Sequence, residues 1–422
     1  MNTSPLLQFY GYVYARTGYG TAARSYVKAF DAAGINLSVV SLDSKPRPGS
    51  AGARMEELID RPGEPALHLW HTEPNHVMRL KFSDPRLAVM TTWEADRLPQ
   101  CYVEALNRAR EIWVPCRYNQ ERFSEQLSVP VYRLPHTVTE MAAPRYDRAT
   151  FDREMNIPAG TFVFVAVGTW QERKNLDGVI EAFLRAFPTE DDVQLIVKTT
   201  FAFTSEEIAR REIQEAIARA NPPDRDQLEK RVRIFPVHWP EDCLSALMHR
   251  ADCYVSLHRG EGWCYPLFDA AAMGTPTIST AYSGSLDYLD ARRHRLVDFK
   301  LTAANQRKHT IRFAFDSTMQ WADPDMEDAA VQMRAVYEKR AQSKADALEA
   351  ARVIHERYAP EVIGEQARQR FLEIDAEVTR AVPATSVADQ AQRTLPEEAP
   401  AVLLATTPGT ASGSPLQPSF CS

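Results

Sequence analysis

The chain has 422 residues, 44% of them hydrophobic, 25% charged and 9% aromatic, with 49 basic and 56 acidic side chains for a net charge of −7. These proportions are those of soluble globular proteins and exclude a wholly disordered or collagen-like chain; no apolar run reaches the roughly 18 residues of a membrane-spanning helix. The acidity argues against a dedicated nucleic-acid binder while leaving room for a local basic groove, and at roughly 150 residues per domain the length allows two to three domains.

From the N-terminus, Met1 to Leu7 carries no basic region followed by an apolar core, so no secretory leader is expected. Short apolar or β-branched runs then predict strands at Leu6–Tyr14, Leu37–Leu42, Ala66–Trp70, Leu87–Thr92 and Glu111–Pro115. Helical periodicity falls between them, at Thr21–Ala33 and Gln100–Ala109. A second strand series follows at Phe162–Gly168, Val193–Lys198, Val232–Phe235, Cys253–Leu257 and Thr277–Thr280. Within it, Leu176, Val179, Ile180, Phe183 and Phe187 form one face of a helix. Thr204 and Glu207 have capping-box spacing before a charged helix, Ile208–Ala220.

Strands alternating with helices imply parallel sheets covered by helices. The polar stretch Glu140–Gly160, with Pro144 and Pro158, separates the two series and reads as a linker. The expected organisation is a Rossmann-like domain over residues 1–150 and a second over 151–355. Helices are expected at Asp328–Tyr337, Lys344–Tyr358 and Pro360–Thr379. Residues 383–422 are rich in Ala, Pro, Thr and Ser and contain one aromatic, Phe420, so a disordered tail is expected. The six cysteines form no CxxC pair and read as reduced intracellular thiols. His71 and His76 share a stretch without completing a metal set.

Two glycine turns carry the chemistry. Gly18-Tyr19-Gly20-Thr21-Ala22-Ala23 matches G-x-G-x-x-A, with Asp43 at the end of the next strand, the outline of a dinucleotide fingerprint. Ala15-Arg16-Thr17 lengthen that turn, and a glycine-permitted strand-to-helix turn explains it as well as NAD binding does. The second turn runs from Ser256 to Ile278. There a strand ends at Leu257, glycines bracket Glu261, and Pro266 opens a helix whose amides form an anion site. Glu261 and Asp269 stand where both can face one ligand; the alternative is a solvated loop acid and a helix-dipole partner.

The second segment, Glu261-Gly262-Trp263-Cys264-Tyr265-Pro266-Leu267-Phe268-Asp269, continues through Met273-Gly274 to Pro276. It resembles the E-x7-E region of retaining glycosyltransferases of family 4. It departs in having Asp for the second Glu and Cys264 for the usual Gly. Val167-Gly168-Thr169-Trp170-Gln171-Glu172-Arg173-Lys174-Asn175 resembles that family's donor-diphosphate loop. Further likenesses are Ile112–Asn119 to its WVPS segment, Leu134-Pro135-His136 to its VPHG segment, and Met90–Pro99 to a WE-x-D variant. The resemblance spans nearly all of residues 8–375.

It implies an α/β protein of GT-B fold, two Rossmann-like domains with parallel sheets facing across a cleft, with a terminal helix, 356–382, returning to the first. It also implies a hexosyltransferase-like enzyme acting with retention of anomeric configuration, with no cofactor and no metal. Carried over by position, Lys174 and Arg173 neutralise donor phosphates, Glu261 accepts from sugar hydroxyls and Asp269 from the ribose. Thr169 stands where an arginine is frequent; Trp93 and Glu94 occupy the region of the family's sugar-contacting histidine, giving Glu94 a sugar or acceptor role. Gly18, Tyr19, Gly20, Gly168, Thr169, Val237, His238, His258, Gly262, Trp263, Cys264 and Tyr265 complete the expected donor site, with either Arg173 or the backbone amides of Gly262–Tyr265 and Gly18–Gly20 holding the phosphate in place of the missing arginine. The implied partners are a UDP-, GDP- or dTDP-sugar and a saccharide, lipid-linked glycan or protein acceptor, at a cytoplasmic or inner-membrane-face location. Competing readings are a GT-B carbohydrate binder without turnover and an NAD-dependent enzyme.

Overall fold

The computed structural model describes residues 4–44, 48–78, 84–139, 141–190, 192–201, 204–223, 228–304, 315 and 317–381. The expected disordered tail, 383–422, lies outside the described residues. Two six-stranded sheets organise the chain. The first holds β1 (Leu6–Gly11), β2 (Asn36–Ser41), β3 (Pro65–His71), β4 (Leu87–Met90), β5 (Glu111–Val114) and β6 (Val131–Arg133), in the order β2-β1-β3-β4-β5-β6. The second holds β7 (Phe162–Val167), β8 (Val193–Lys198), β9 (Val232–Phe235), β10 (Cys253–Ser256), β11 (Thr277–Thr280) and β12 (Arg295–Val297), in the order β12-β11-β10-β7-β8-β9. Every pairing within both sheets is parallel.

Burial on both faces explains why the central strands are continuous apolar runs without alternation: β4, β5 and β8 are buried along their whole length. Between β7 and β8, helix Leu176–Ala186 turns Leu176, Val179, Ile180 and Phe183 into the core, the stripe visible in its spacing. The short edge strands β6 and β12 were not anticipated; at three residues each they are too brief for a sequence pattern.

Three local expectations are corrected. The stretch Glu140–Gly160 is not merely a linker, because helix Arg148–Glu154 forms inside it, capped by Asp147, which accepts from the Thr150 amide at 2.8 Å. That helix packs on helix Glu241–Arg250 of the second half, where Arg250 is 1% exposed and pairs with Asp152 and Asp252. The cap of helix Glu206–Ala220 is Ser205, not Thr204: its hydroxyl accepts from Ile208 N at 3.2 Å. Residues Phe299–Ala303 (β13) and Gln320–Pro324 (β14), read as no element at all, form an antiparallel hairpin.

The two halves share one core. Val163, Val165, Leu267 and Phe268 of the second half belong to the same buried cluster as Leu7, Phe9, Tyr26 and Phe30 of the first. The hairpin adds a second contact, burying Met319 and Trp321 among Trp93, Leu98 and Tyr102. Gln320 and Asp96 exchange hydrogen bonds there, at 3.1 Å through backbone and 2.6 Å to the Asp96 carboxylate. Helix Pro360–Ala381 returns to the first half and lies on helix Gly18–Ala32, with Ile363, Ala367, Phe371 and Ile374 buried. Its Arg370 pairs with Glu111, a carboxylate buried at the start of β5.

The closeness of this last contact depends on Gly364, since a Cβ there would collide with the Ala29 carbonyl. Gly364→Val should therefore destabilise the folded chain by about 1–3 kcal/mol through overpacking. Urea unfolding reads the difference; an unchanged midpoint would mean that this helix is not tightly docked.

Candidate active site

Numbered from β7, the second sheet has the order 3-2-1-4-5-6, which reverses direction between β7 and β10. In such sheets the loops after the two strands flanking the reversal part to opposite faces, leaving a crevice at their carboxyl ends. Here those loops are Gly168–Asn175 after β7 and Leu257–Cys264 after β10. The crevice therefore lies between the two motifs singled out in the sequence.

The first loop ends in a 3-10 turn, Glu172–Lys174, followed by Asn175 in the left-handed conformation at φ 53°. Asparagine tolerates that conformation, and its side-chain amide donates to the Leu257 carbonyl at 2.9 Å, tying the two loops together. Arg259 adds two more ties, from its amide to the Arg173 carbonyl at 2.8 Å and from its guanidinium to the Glu172 carbonyl at 2.5 Å. With their backbones fixed, Arg173 and Lys174 converge on Glu261. Lys174 Nζ lies 2.5 Å from Oε1, and an Arg173 terminal nitrogen lies 3.0 Å from Oε2. The other terminal nitrogen of Arg173 lies 3.3 Å from Glu94 of the first half. The Glu261 amide donates to Ser283 Oγ at 3.0 Å, holding the acid from its own backbone.

Electrostatics follow from this packing. Glu261 is 4% exposed, and burial alone would raise its pKa; Lys174 and Arg173 outweigh burial and hold the carboxyl at about 2. It is thus an ionised, acceptor-only group at neutral pH. Glu94 moves the other way, its pKa raised by burial, which the attraction of Arg173 offsets only in part, with Glu261 adding repulsion. The site accordingly pairs a firmly ionised carboxylate with one that takes up a proton more readily.

Gly260 and Gly262 have a reason that the motif alone does not disclose. A Cβ on Gly260 would collide with the Glu94 carbonyl, and one on Gly262 would come within 2.6 Å of Thr92 Cβ. The opposing half presses directly on the loop that carries Glu261. Cys264, where the related motif usually has Gly, adopts φ 69° at the start of helix Tyr265–Ala272, the backbone region that favours glycine. Asp269, half-buried on that helix, accepts from Thr139 Oγ1 at 2.6 Å, and burial pushes its carboxyl up to about 7.

The side chains of several residues expected at the donor are buried. His258 is fully buried, with Nδ1 3.1 Å from Ser256 Oγ and Nε2 3.2 Å from the Tyr282 carbonyl. A carbonyl only accepts, so Nε2 carries the proton and both ring nitrogens are taken. Trp263 and Tyr265 are core aromatics that pack on His136 at 5.3 and 4.8 Å. Gly20 is required by packing, because a Cβ would collide with the Ala15 carbonyl, and its amide donates to Thr17 Oγ1. Gly18 has open space around it, and Tyr19 reaches Thr92 Oγ1 at 3.3 Å. The acid of the dinucleotide outline, Asp43, accepts from the Tyr14 amide and Ser41 Oγ, both at 3.0 Å, and so braces its own turn. Gly168 lies against the Lys174 stem, half-buried Thr169 follows it, and Val237 and His238 are exposed at the end of β9.

Two residues at the site had no sequence signal. Ser283, at φ 65°, supplies the hydroxyl under the Glu261 amide. Asp287 reaches the first half, accepting from the Arg117 amide at 3.1 Å and from Arg133 at 2.9 Å. Among the described residues, no helix is long and apolar enough to cross a membrane.

Residues 147–313, the part that holds Lys174 and Glu261, match the family model described as glycosyl transferases group 1. No curated protein matches the chain significantly. Among solved structures, HepE of Anabaena in complex with UDP and glucose is similar with a TM-score of 0.62 at 13% identity, over 87% of this chain and 100% of that one. Sucrose-phosphate synthase of Thermosynechococcus elongatus reaches 0.62 at 14% identity, over 88% and 100%. A glycosyltransferase of Rickettsia africae reaches 0.60 at 10% identity, over 89% and 99%. At these identities the likenesses establish the fold, and it is GT-B, as the motifs implied. The domain match and the fold together define the class of enzyme: a glycosyltransferase.

The buried imidazoles set an acid limb for stability. Burial holds His71 at about 3 and both His258 and His294 at about 4, against 6.5 for an unperturbed histidine. Between pH 6.5 and 4 the unfolded chain binds these protons and the folded chain does not, so the contribution of these histidines is full above 6.5 and falls as pH drops toward 4, while Asp269, raised to about 7, contributes with the opposite sign. Each histidine contributes a slope of about 1.4 kcal/mol per pH unit. His258→Asn should flatten that limb by one such increment, measured as unfolding free energy against pH; an unaltered slope would place His258 in contact with solvent.

Proposed function

We propose that the protein is a retaining, metal-independent glycosyltransferase of family 4, moving a sugar from a nucleoside-diphosphate donor to a hydroxyl acceptor. The observation that carries this reading is the Arg173–Lys174 pair gathered on buried, ionised Glu261 at the crevice of the group 1 domain. A doubly charged leaving group needs cations held in advance where charge develops, and a water-poor site makes each worth more. Lys174 has three donors and gives one to Glu261, so two are left for donor phosphate. Glu261 accepts from sugar hydroxyls, and Asp269 accepts from the ribose with the oxygen that Thr139 does not hold. HepE, similar in fold, is described in complex with UDP and glucose, which supports a UDP-type donor; GDP- and dTDP-sugars have the same diphosphate chemistry.

In the transfer, the bond from the anomeric carbon to the β-phosphate oxygen breaks and a bond to the acceptor oxygen forms on the same face. The acceptor proton passes to the departing phosphate, and the products are a glycoside and a nucleoside diphosphate. Glu261 is no nucleophile here: flanked by two cations, its charge is committed to binding. Cations from the chain take the neutralising role that a divalent ion has in other transferases. Glu94, with its raised pKa and its place on the first half, faces the acceptor side. The acceptor is a saccharide, a lipid-linked glycan or a protein, met in the cytoplasm or at the inner membrane face.

Purified protein should release nucleoside diphosphate from one of the UDP-, GDP- or dTDP-sugars, unaffected by EDTA. Lys174→Ala and Glu261→Ala should each lower kcat about 100-fold or more, and NMR of the product should show the donor's anomeric configuration. Donor binding without turnover on any acceptor would leave a carbohydrate-binding GT-B protein; failure of every nucleotide sugar to bind would remove the donor reading itself.

A further inference from the structure

One cation near the crevice is used by nothing described so far. Lys198 ends β8 and is 8% exposed. Its neighbours in register are Val167 and Phe235, which pack into the core layer containing helices Glu241–Arg250 and Tyr265–Ala272. Among the described residues its ammonium makes a single long hydrogen bond, 3.4 Å to the Thr199 carbonyl, and no salt bridge. Burial pushes its pKa down to about 8, and no carboxylate among the described residues acts to restore it. An ammonium buried without a counter-charge is costly and ordinarily comes with a paired acid.

Its location gives the cost a use. The carboxyl ends of β7 and β8 lie side by side, and the Gly168 amide donates to the Lys198 carbonyl at 3.1 Å. On the other side of the same glycine, the stem of Lys174 passes within 3.7 Å of where a Cβ would be. Gly168 thus ties the end of β7 to the backbone of Lys198 and lies against the stem of Lys174; the Lys174 ammonium is neutralised by Glu261, and the Lys198 ammonium bonds the Thr199 carbonyl. Thr169, next along, brings no charge.

We propose that Lys198 is a further donor-binding cation, supplying counter-charge to the diphosphate that Arg173 and Lys174, both shared with Glu261, meet only in part. The proposal rests on the nucleotide-sugar reading above and names the part of the donor that this lysine grips. Lys174 then holds the departing end of the diphosphate while Lys198 anchors it from β8. The buried ammonium regains its lost solvation from phosphate oxygens, so donor binding relieves a strain that the unliganded chain carries.

The test is calorimetry on the full chain with UDP, GDP and dTDP, each beside its nucleoside, for the wild type, Lys198→Met and Lys198→Gln. The diphosphate that the wild type binds should weaken about 10- to 100-fold in both variants, the scale of a lost charged hydrogen bond, while nucleoside affinity stays within about twofold, a shift too small to represent a charged contact. The unliganded Lys198→Met protein should melt at the same temperature as the wild type or higher, because an uncompensated charge has been removed. Unchanged diphosphate affinity, an equal loss for the nucleoside, or a lower melting temperature without ligand would each overturn the assignment. If the wild type binds none of the three diphosphates, the donor reading fails first, whatever the variants do.

Discussion

Everything at this site depends on a carboxylate buried between two cations. Glu261 lies out of water, where an isolated charge could not persist, and it remains ionised because Lys174 and Arg173 approach both of its oxygens. That requirement explains the rest of the local architecture. Asn175 must turn left-handed to bring the two cations round, Arg259 must pin their backbones, and Ser283 must take the acid's own amide. Arg173 then passes the constraint across the crevice to Glu94, so the charge on one half orders a loop of the other.

The same constraint shapes the backbone. For Glu94 to reach Arg173, the loop Thr92–Glu94 has to lie directly on residues 260–262, which only glycines at 260 and 262 permit. The bracketing glycines therefore serve contact between the halves in this arrangement, whatever they later offer a phosphate. Charge pairing and close backbone approach are here two aspects of one interface.

Much of this could be read in advance, and the exceptions have physical causes. Buried parallel strands announce themselves as apolar runs, and β8, β9 and β11 begin and end where those runs do. Lys174 and Glu261 were legible because they stand inside motifs whose residue types and spacing resemble those of a known family. The β13–β14 hairpin was not: β13 is largely exposed, so it carries no alternation, and its burial falls on Trp321 opposite another part of the chain. His258, Trp263 and Tyr265 were expected at the donor from the resemblance; their side chains are buried, and spacing along a loop does not reveal which way a side chain points. Lys198 was visible only as the polar end of an apolar strand, and its missing partner is a property of three dimensions.

The returning helix Pro360–Ala381 has a consequence for how the molecule can be divided. It fills the groove beside helix Gly18–Ala32 with apolar residues from far along the chain, and the cluster they join runs on into both sheets. The second half also has a cluster of its own, from Phe162 to Val336, but the cluster shared by the halves belongs to neither alone. During synthesis the first half emerges with an uncovered apolar flank and stays so until helix Pro360–Ala381 is made. The two sheets share one buried cluster, so a cut between the halves would expose apolar surface on both.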